Sequence, residues 1–529
     1  MFDFILKDGI VVDGSGNPWT RTDIGIREGR ISKVGRLEPS ETTKLIDVKD
    51  LIVSPGFIDI HSHSDFTLLV DPKAESKTKQ GVTTEIVGNC GTSAGPMTGK
   101  TLQIDALRTY GFKFDSLADY FRHLEKQGIS VNLGSLAGHS TIRTSVMGVE
   151  NRPPTAPELQ EMKSLVAQSM EEGALGFSSV LVHAPGAYAD KRELAELCRV
   201  VAERGGIYAT HVRGEGTTIE SAVSEAIEIG EETGIPVEIA HHKAIFQANW
   251  GKVRRTLLMM EDARRRGIDV ACDVYPYTAA MGLLKSYLPP WANEGGIREL
   301  TKRLSEDETR RKIIEDMKKD TRTQGGAPLD ELLGSTMISQ SKHFPSYEGQ
   351  MLPDIAKSES ITPLELAFRL IEKDEGTTAS ISFRLSEEDV QTVLKHPLST
   401  IGTDGFAQSP HGILGKGKSH PRSYGCFPRV LARYVRDLAL LPLEEAIRKM
   451  TSAPARMLRL RDRGYIREGM WADITVFDRE KIQDKATYED PHKYPEGIHY
   501  VFVNGALTVR NGEHTGELAG KTLRLENRD

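Results

Sequence analysis

One stretch constrains this chain more than any other: Ser54-Pro55-Gly56-Phe57-Ile58-Asp59-Ile60-His61-Ser62-His63-Ser64-Asp65, an apolar strand that ends in two histidines one residue apart. Successive side chains on a strand alternate faces, so His61 and His63 project the same way. Two imidazoles converging from one strand end can hold one metal ion. A (β/α)8 barrel carries its active site at the C-terminal ends of its strands, and a strand this early in the chain fits the first of them. An HxH pair is also common at an ordinary strand-loop junction, so the reading depends on where further ligands fall.

The pattern on either side supports a barrel. Residues 1 to about 53 alternate short apolar runs (Phe4-Ile5-Leu6, Ile10-Val11-Val12, Ile24-Gly25-Ile26) with turns such as Asp8-Gly9, Asp13-Gly14 and Glu28-Gly29, which predicts a meander of short strands. From Ile52 to about Leu460 apolar strands alternate with helix-period segments, the signature of βα units. Candidate strands are Phe57 to Ile60, Thr83 to Val87, Val131 to Leu136, Leu175 to Val180, Ile207 to His211, Val237 to Ala240, Val270 to Val274, and Ser399 to Gly402. A far longer stretch separates the last two than a βα unit needs, so something is inserted there. After Leu460, Trp471-Ala472-Asp473-Ile474-Thr475-Val476-Phe477 and Val501-Phe502-Val503 return to short strands. The expected class is α/β: a (β/α)8 TIM-like barrel over residues 54–463, a small β-sandwich domain built from residues 1–53 and 464–529, and an insertion between barrel strands 7 and 8, assigned as a lid or subdomain over residues 282–350.

Composition narrows the partners. Lys and Arg total 68 against 75 Asp and Glu, a net charge of -7, and no basic stripe interleaves with aromatics, which argues against nucleic acid and leaves small-molecule substrates. The four cysteines, Cys90, Cys198, Cys272 and Cys426, fit no CxxC or disulfide framework, so a reducing cytoplasm is expected. No segment has the length and apolarity of a bilayer span, and Met1-Phe2-Asp3-Phe4-Ile5-Leu6-Lys7 lacks the pattern of a secretion signal.

The strand ends supply the missing ligands. The second strand runs into Gly88-Asn89-Cys90-Gly91, the fifth ends at His211, the sixth at His241-His242-Lys243 and the eighth at Thr403-Asp404-Gly405. A lone buried cysteine is usually a small apolar residue. Flanked by glycine at a strand end, with histidines at three others, Cys90 reads as a thiolate ligand. Strand alternation puts His241 and Lys243 on one face and His242 on the other, an assignment that a bulge would reverse. Asp-Gly is a turn signal, but an aspartate at the eighth strand end can also take a proton from a metal-activated water. Arg422, in the loop Ser419-His420-Pro421-Arg422-Ser423-Tyr424-Gly425, has the side chain best shaped to grip a carboxylate.

With these residues placed, the chain resembles the amidohydrolase superfamily and, within it, the D-aminoacylases (N-acyl-D-amino-acid deacylases). The resemblance covers nearly the whole chain. It rests on PGFIDIHSH, VGNCGTS around Cys90, AGHSTIR from Ala137 to Arg143, PGAYA from Pro185 to Ala189, THVRGEG around His211, IAHHKA around His241, DVYPYTA from Asp273, IGTDG around Asp404, HPRSYGCFPRVLARYVRD from His420, and RGYIREGMWADITVFD. It implies a tightly held Zn2+ on Cys90, His211 and His241, with His61 and His63 forming a weaker second position. The cysteine stands where much of the superfamily uses a carboxylated lysine. It also implies Asp404 as the acid/base, Lys243 and Arg422 as substrate binders, and Tyr188 and Tyr277 as pocket residues. The implied reaction is hydrolysis of an N-acyl-D-amino acid to a carboxylate and a D-amino acid. Cleavage of a cyclic amide, as in dihydroorotases and hydantoinases, or of a D-residue dipeptide is the alternative on the same metal set, and a non-catalytic barrel is the alternative of another class. Val182-His183-Ala184 departs from the tyrosine- and proline-like run expected before PGAYA, and residues about 325 to 350 match the family poorly, which leaves substrate preference open.

Overall fold

The computed structural model describes residues 1–42, 44–99, 110–319, 326 and 328–525. Eight parallel strands follow one another in sequence order: β1 (Phe57–Asp59), β2 (Val82–Val87), β3 (Asn132–Gly138), β4 (Gly176–Val180), β5 (Ile207–His211), β6 (Val237–Ile239), β7 (Val270–Val274) and β8 (Ser399–Ile401). These are the eight strands expected from the sequence, and β2, β3, β4 and β6 are buried along their whole length, as a sheet covered on both faces requires. Helices such as Ala156–Glu171 and Lys191–Glu203 cover the outside through their apolar stripes. Both begin on a side-chain cap, Thr155 accepting from Glu158 N and Asp190 accepting from Glu193 N.

The barrel closes by a different route from the ladders between its other strands. Beyond the ends of β1 and β8 the chains meet at a parallel bridge between Ser62 and Gly405. There Asp404 N donates to His61 O at 2.7 Å and His63 N donates to Gly405 O at 2.9 Å. Gly402 permits this approach: a Cβ there would stand 2.6 Å from His61 Cβ and 2.9 Å from Asp273 Oδ1. Below the bridge, the Lys77 ammonium is fully buried and lies 2.7 Å from Asp59 Oδ2 on β1, 3.2 Å from Glu85 Oε2 on β2 and 2.9 Å from Thr403 Oγ1 just past β8. Burial pushes Lys77 down, but Asp59 and Glu85 outweigh it and keep the group protonated.

Between β7 and β8 the chain builds a three-stranded antiparallel sheet with Ala379–Ser382 at its centre, flanked by Ala280–Leu283 and Thr336–Gln340. Its central strand comes last in the chain, so the inserted structure runs well past residue 350, where the sequence reading ended it. The helix Pro363–Lys373, opened by the capping box of Thr362 and Glu365, has the periodicity of an ordinary barrel helix and conceals this in the sequence.

The two ends of the chain meet in one nine-stranded sheet. Strand Ile52–Pro55 pairs in parallel with Phe4–Val11 and antiparallel with Ile474–Phe477, and only Gly56 separates it from β1. A core of its own, including Leu6, Ile24, Ile26, Val53, Ile474, Val476 and Phe502, lies within this sheet. Among the described residues no helix is long and apolar enough to cross a membrane.

The buried ion triad generates a stability prediction. Lys77→Met strands Asp59 and Glu85 without a counter-charge, and the expected loss in urea unfolding is about 3–5 kcal/mol, the usual penalty for breaking a buried pair. A loss below about 1 kcal/mol would show that the closure stands on the backbone bridge alone.

Candidate active site

The C-terminal ends of β1, β2, β5, β6 and β8 bring the predicted residues to one place. Cys90 Sγ lies 3.4 Å from His61 Nε2 and 3.5 Å from His241 Nε2. The His211 ring stands edge-on to His241 with centroids 4.4 Å apart, and His61 and His63 are likewise edge-on at 5.3 Å. Three overlapping groups have ligand atoms within 4.8 Å of one another: His61 with Cys90 and His241; His61 with His63 and Asp404; His211 with Glu215 and His241. His61 thus stands as near the sulfur as His241 does, and the cluster is continuous.

Three of these residues sit in left-handed backbone, Cys90 at φ 47°, His241 at φ 37° and Asp404 at φ 48°. That conformation is costly for residues with a Cβ and clusters at functional sites. It follows from the path of the chain: each residue lies beyond the end of its strand, at Val87, Ile239 and Ile401 respectively. Gly88 lets β2 make this turn, since a Cβ there would stand 2.1 Å from Leu136 O. The sequence reading chose His241 over His242 by strand alternation. His241 does face the cluster, but β6 ends at Ile239, so its left-handed turn sets the direction. His242 lies behind, with Nε2 2.8 Å from Thr256 Oγ1.

Carboxylates orient the imidazoles. His61 Nδ1 is 3.0 Å from Asp273 Oδ2, and His241 Nδ1 is 3.3 Å from Glu215 Oε1. At His61 a proton on Nδ1 leaves the Nε2 lone pair aimed at the sulfur side, the arrangement a metal site needs, whereas His241 Nδ1 faces the Lys243 ammonium as well as Glu215. Lys243 Nζ lies 2.6 Å from Glu215 Oε1 and 2.7 Å from His241 Nδ1, so this expected substrate binder is also tied to a ligand's support. Burial pushes the Cys90 thiol up, but His61 and His241 outweigh it and hold it well below its usual range. A low-pKa thiol among imidazoles is the donor set of a borderline-soft divalent metal such as zinc, and the residues fit one.

Asp404 Oδ1 lies 2.9 Å from His63 Nε2 and 3.6 Å from His61 Nε2, while Oδ2 accepts from Arg422 Nη1 at 2.7 Å. Burial raises this carboxyl, but Arg422, His241 and His63 together hold it well below the carboxylate range. Arg422 was expected to bind substrate. It is also the partner of Asp404, and its Nε stays buried without a hydrogen-bond partner.

The two expected pocket tyrosines lie outside the cluster. Tyr188 Oη donates to Pro290 O at 2.6 Å, joining the loop after β4 to the inserted structure. Tyr277 Oη reaches Pro421 O at 3.5 Å and its ring meets His420 edge-on, so it supports the Arg422 loop from behind. Tyr275 takes the inner position: Arg422 lies 4.8 Å over its ring, Lys243 5.7 Å, and its hydroxyl is buried without a partner. Sequence reasoning missed Tyr275, Glu215 and Asp273, although the motifs DVYPYTA and THVRGEG contain all three.

A model described as the amidohydrolase family matches residues 44–509 of the chain. The chain is 36% identical over 505 residues to an N-acyl-D-glutamate deacylase of Alcaligenes xylosoxydans xylosoxydans, covering 95% of this chain and 93% of that one. It is 36% identical over 525 residues to a D-aminoacylase of the same organism, covering 99% and 97%. Among solved structures, an N-acyl-D-glutamate deacylase from Bordetella bronchiseptica, complexed with zinc and a phosphonate mimic of the tetrahedral intermediate, superposes with a TM-score of 0.85 at 34% identity, over 99% of both chains.

The geometry around Cys90 carries a direct test. Cys90→Ala is expected to lose the tightly held metal through dialysis, read by elemental analysis of the purified protein. Metal content equal to that of the unaltered protein would remove the thiolate from the ligand set.

Proposed function

Because the chain belongs to the amidohydrolase family, we propose that its barrel mouth hydrolyses the amide bond of N-acyl-D-amino acids, giving a carboxylate and a free D-amino acid. The observation that carries this reading is the aim of Asp404, whose Oδ1 faces His61 and His63 while Arg422 fixes its other oxygen. That is where a base must stand to serve water bound at the cluster. The D-aminoacylase and N-acyl-D-glutamate deacylase relatives, covered almost end to end, support the substrate class.

Zn2+ held by Cys90, His211 and His241, with a weaker second position at His61 and His63, would acidify water and polarise the amide carbonyl. Asp404 accepts the proton of the attacking water at Oδ1 and returns it to the leaving nitrogen, because an amine leaves poorly unless protonated. Arg422 keeps Asp404 ionised and ready as a base. The Tyr275 hydroxyl, which burial keeps protonated, donates to the carbonyl oxygen as negative charge develops there. The unpartnered Nε of Arg422 is the donor left for the α-carboxylate of the substrate.

Asp404→Asn should retain its metal while turnover of N-acetyl-D-amino acids falls roughly 100- to 10,000-fold, the usual weight of general acid-base catalysis. Near-normal rates in that variant would exclude Asp404 as the base. A panel of N-acetyl-D-amino acids, their L-forms, dihydroorotate and hydantoins tests the substrate class, and cleavage confined to the cyclic amides would refute the proposal.

A further inference from the structure

Cys90 sits in a turn that is held from outside. Between Gly88 and Gly91 the backbone is left-handed at Gly88 (φ 75°), Cys90 (φ 47°) and Gly91 (φ 71°), a run that needs external hydrogen bonds to persist. Gly88 N donates to Asp65 Oδ1 at 2.9 Å, and Gly91 O accepts from Thr141 N at 3.1 Å. The two groups that bracket Asn89-Cys90 go to a single side chain. The Ser178 hydroxyl donates to Gly88 O and accepts from Gly91 N at 2.9 Å.

Ser178 is fully buried on β4, in register with Gly138 on β3 and Ala209 on β5. Ala209 belongs to the apolar cluster that includes Ile60, Ile86 and Leu136, so a hydroxyl on that face must find its partners in the protein. A hydroxyl both donates and accepts, which lets one side chain close a ring around Asn89-Cys90. Gly138 keeps the approach open, since a Cβ there would stand 2.6 Å from Gly91 O. The next residue serves as a contrast: Ser179 Oγ lies 2.8 Å from Tyr208 Oη and 2.9 Å from Thr210 Oγ1, away from the turn.

We propose that Ser178 is a positioning residue of the metal centre: its hydroxyl clasps the Cys90 turn before metal arrives and sets the thiolate where tight binding requires it. This rests on the reading of Cys90 as a ligand. Ser178 acts only through the backbone on either side of that residue. With alanine in its place, a buried carbonyl and a buried amide lose their partner, and the metal must order the turn at the expense of its own affinity.

The test measures zinc affinity by competition with a chromogenic chelator in the unaltered protein and in Ser178→Ala, Ser178→Thr, Ser179→Ala and Cys90→Ala. Ser178→Ala should bind zinc roughly ten- to a hundredfold more weakly, the usual effect of removing a group that orients a metal ligand. In cobalt-exchanged protein the sulfur-to-cobalt charge-transfer absorption should fall with it, and Ser178→Thr, which keeps the hydroxyl, should restore both. Ser179→Ala also removes a buried hydroxyl and should leave zinc affinity unchanged. Zinc held by Ser178→Ala as tightly as by the unaltered protein, or an equal loss in Ser179→Ala, would overturn the proposal. Hydrogen exchange on the unaltered protein stripped of metal decides the matter even where Ser178→Ala does not fold: a protected Gly91 amide is expected, and exchange at the rate of an open loop would overturn the clasp. Loss of zinc in Cys90→Ala but not in Ser178→Ala would overturn the clasp alone, whereas affinity unchanged in both would sink the ligand assignment with it. Weakened zinc in Ser178→Ala, in a protein that cleaves none of the amides, would refute the hydrolytic reading and leave the clasp standing.

Discussion

The joint between the first and eighth strands, where Lys77 meets Asp59, Glu85 and Thr403, is the constraint on which the remainder of the mouth depends. Asp59 stands two residues before His61, and Thr403 immediately before Asp404. Glu85 also accepts from Ser62 at 2.5 Å and from Ser64 at 2.6 Å, the residues on either side of His63. One buried cation thereby sets the separation between a pair of histidines and the carboxylate that faces them. Apolar packing of equal volume would hold such a joint as firmly, because desolvation offsets much of the attraction in a buried ion pair. The gain is geometric: two strands joined by a single backbone bridge are held in one register.

Above that joint the site uses backbone that strands do not supply. Cys90, His241 and Asp404 each occupy the left-handed region, which glycine adopts most readily. The surrounding hydrogen bonds, such as Asp404 N to His61 O and His242 N to Asp273 O, hold these turns in place. Side chains on rigid, over-determined turns lose little freedom when a ligand arrives, which suits a centre that must present sulfur, nitrogen and oxygen atoms together.

Legibility in the sequence follows from this construction. The eight strands are readable because each is a short apolar run with turn residues after it, and the polar residue ending each run marks the mouth. Glu215, Asp273 and Tyr275 are harder. Glu215 and Asp273 work through the imidazoles they orient, and an acidic residue in a loop or on a strand carries no spacing signal for that task. Tyr275 and Tyr277 differ by two positions and would share a face on a continuing strand. The strand ends at Val274, so alternation no longer decides between them. The limits of the inserted structure are concealed in the sequence by the well-capped helix Pro363–Lys373 of ordinary periodicity.

The pairing of Ile52–Pro55 with Ile474–Phe477 also reaches into how the molecule is made. Ser54 and Thr475 stand opposite each other although 421 residues separate them, so this edge stays open until Ile474–Phe477 has been made. Contacts of such sequence separation form late and slowly. The strand leading to His61 and His63 therefore gains its neighbour on this edge only after the segments carrying Cys90, His211 and His241 have been made.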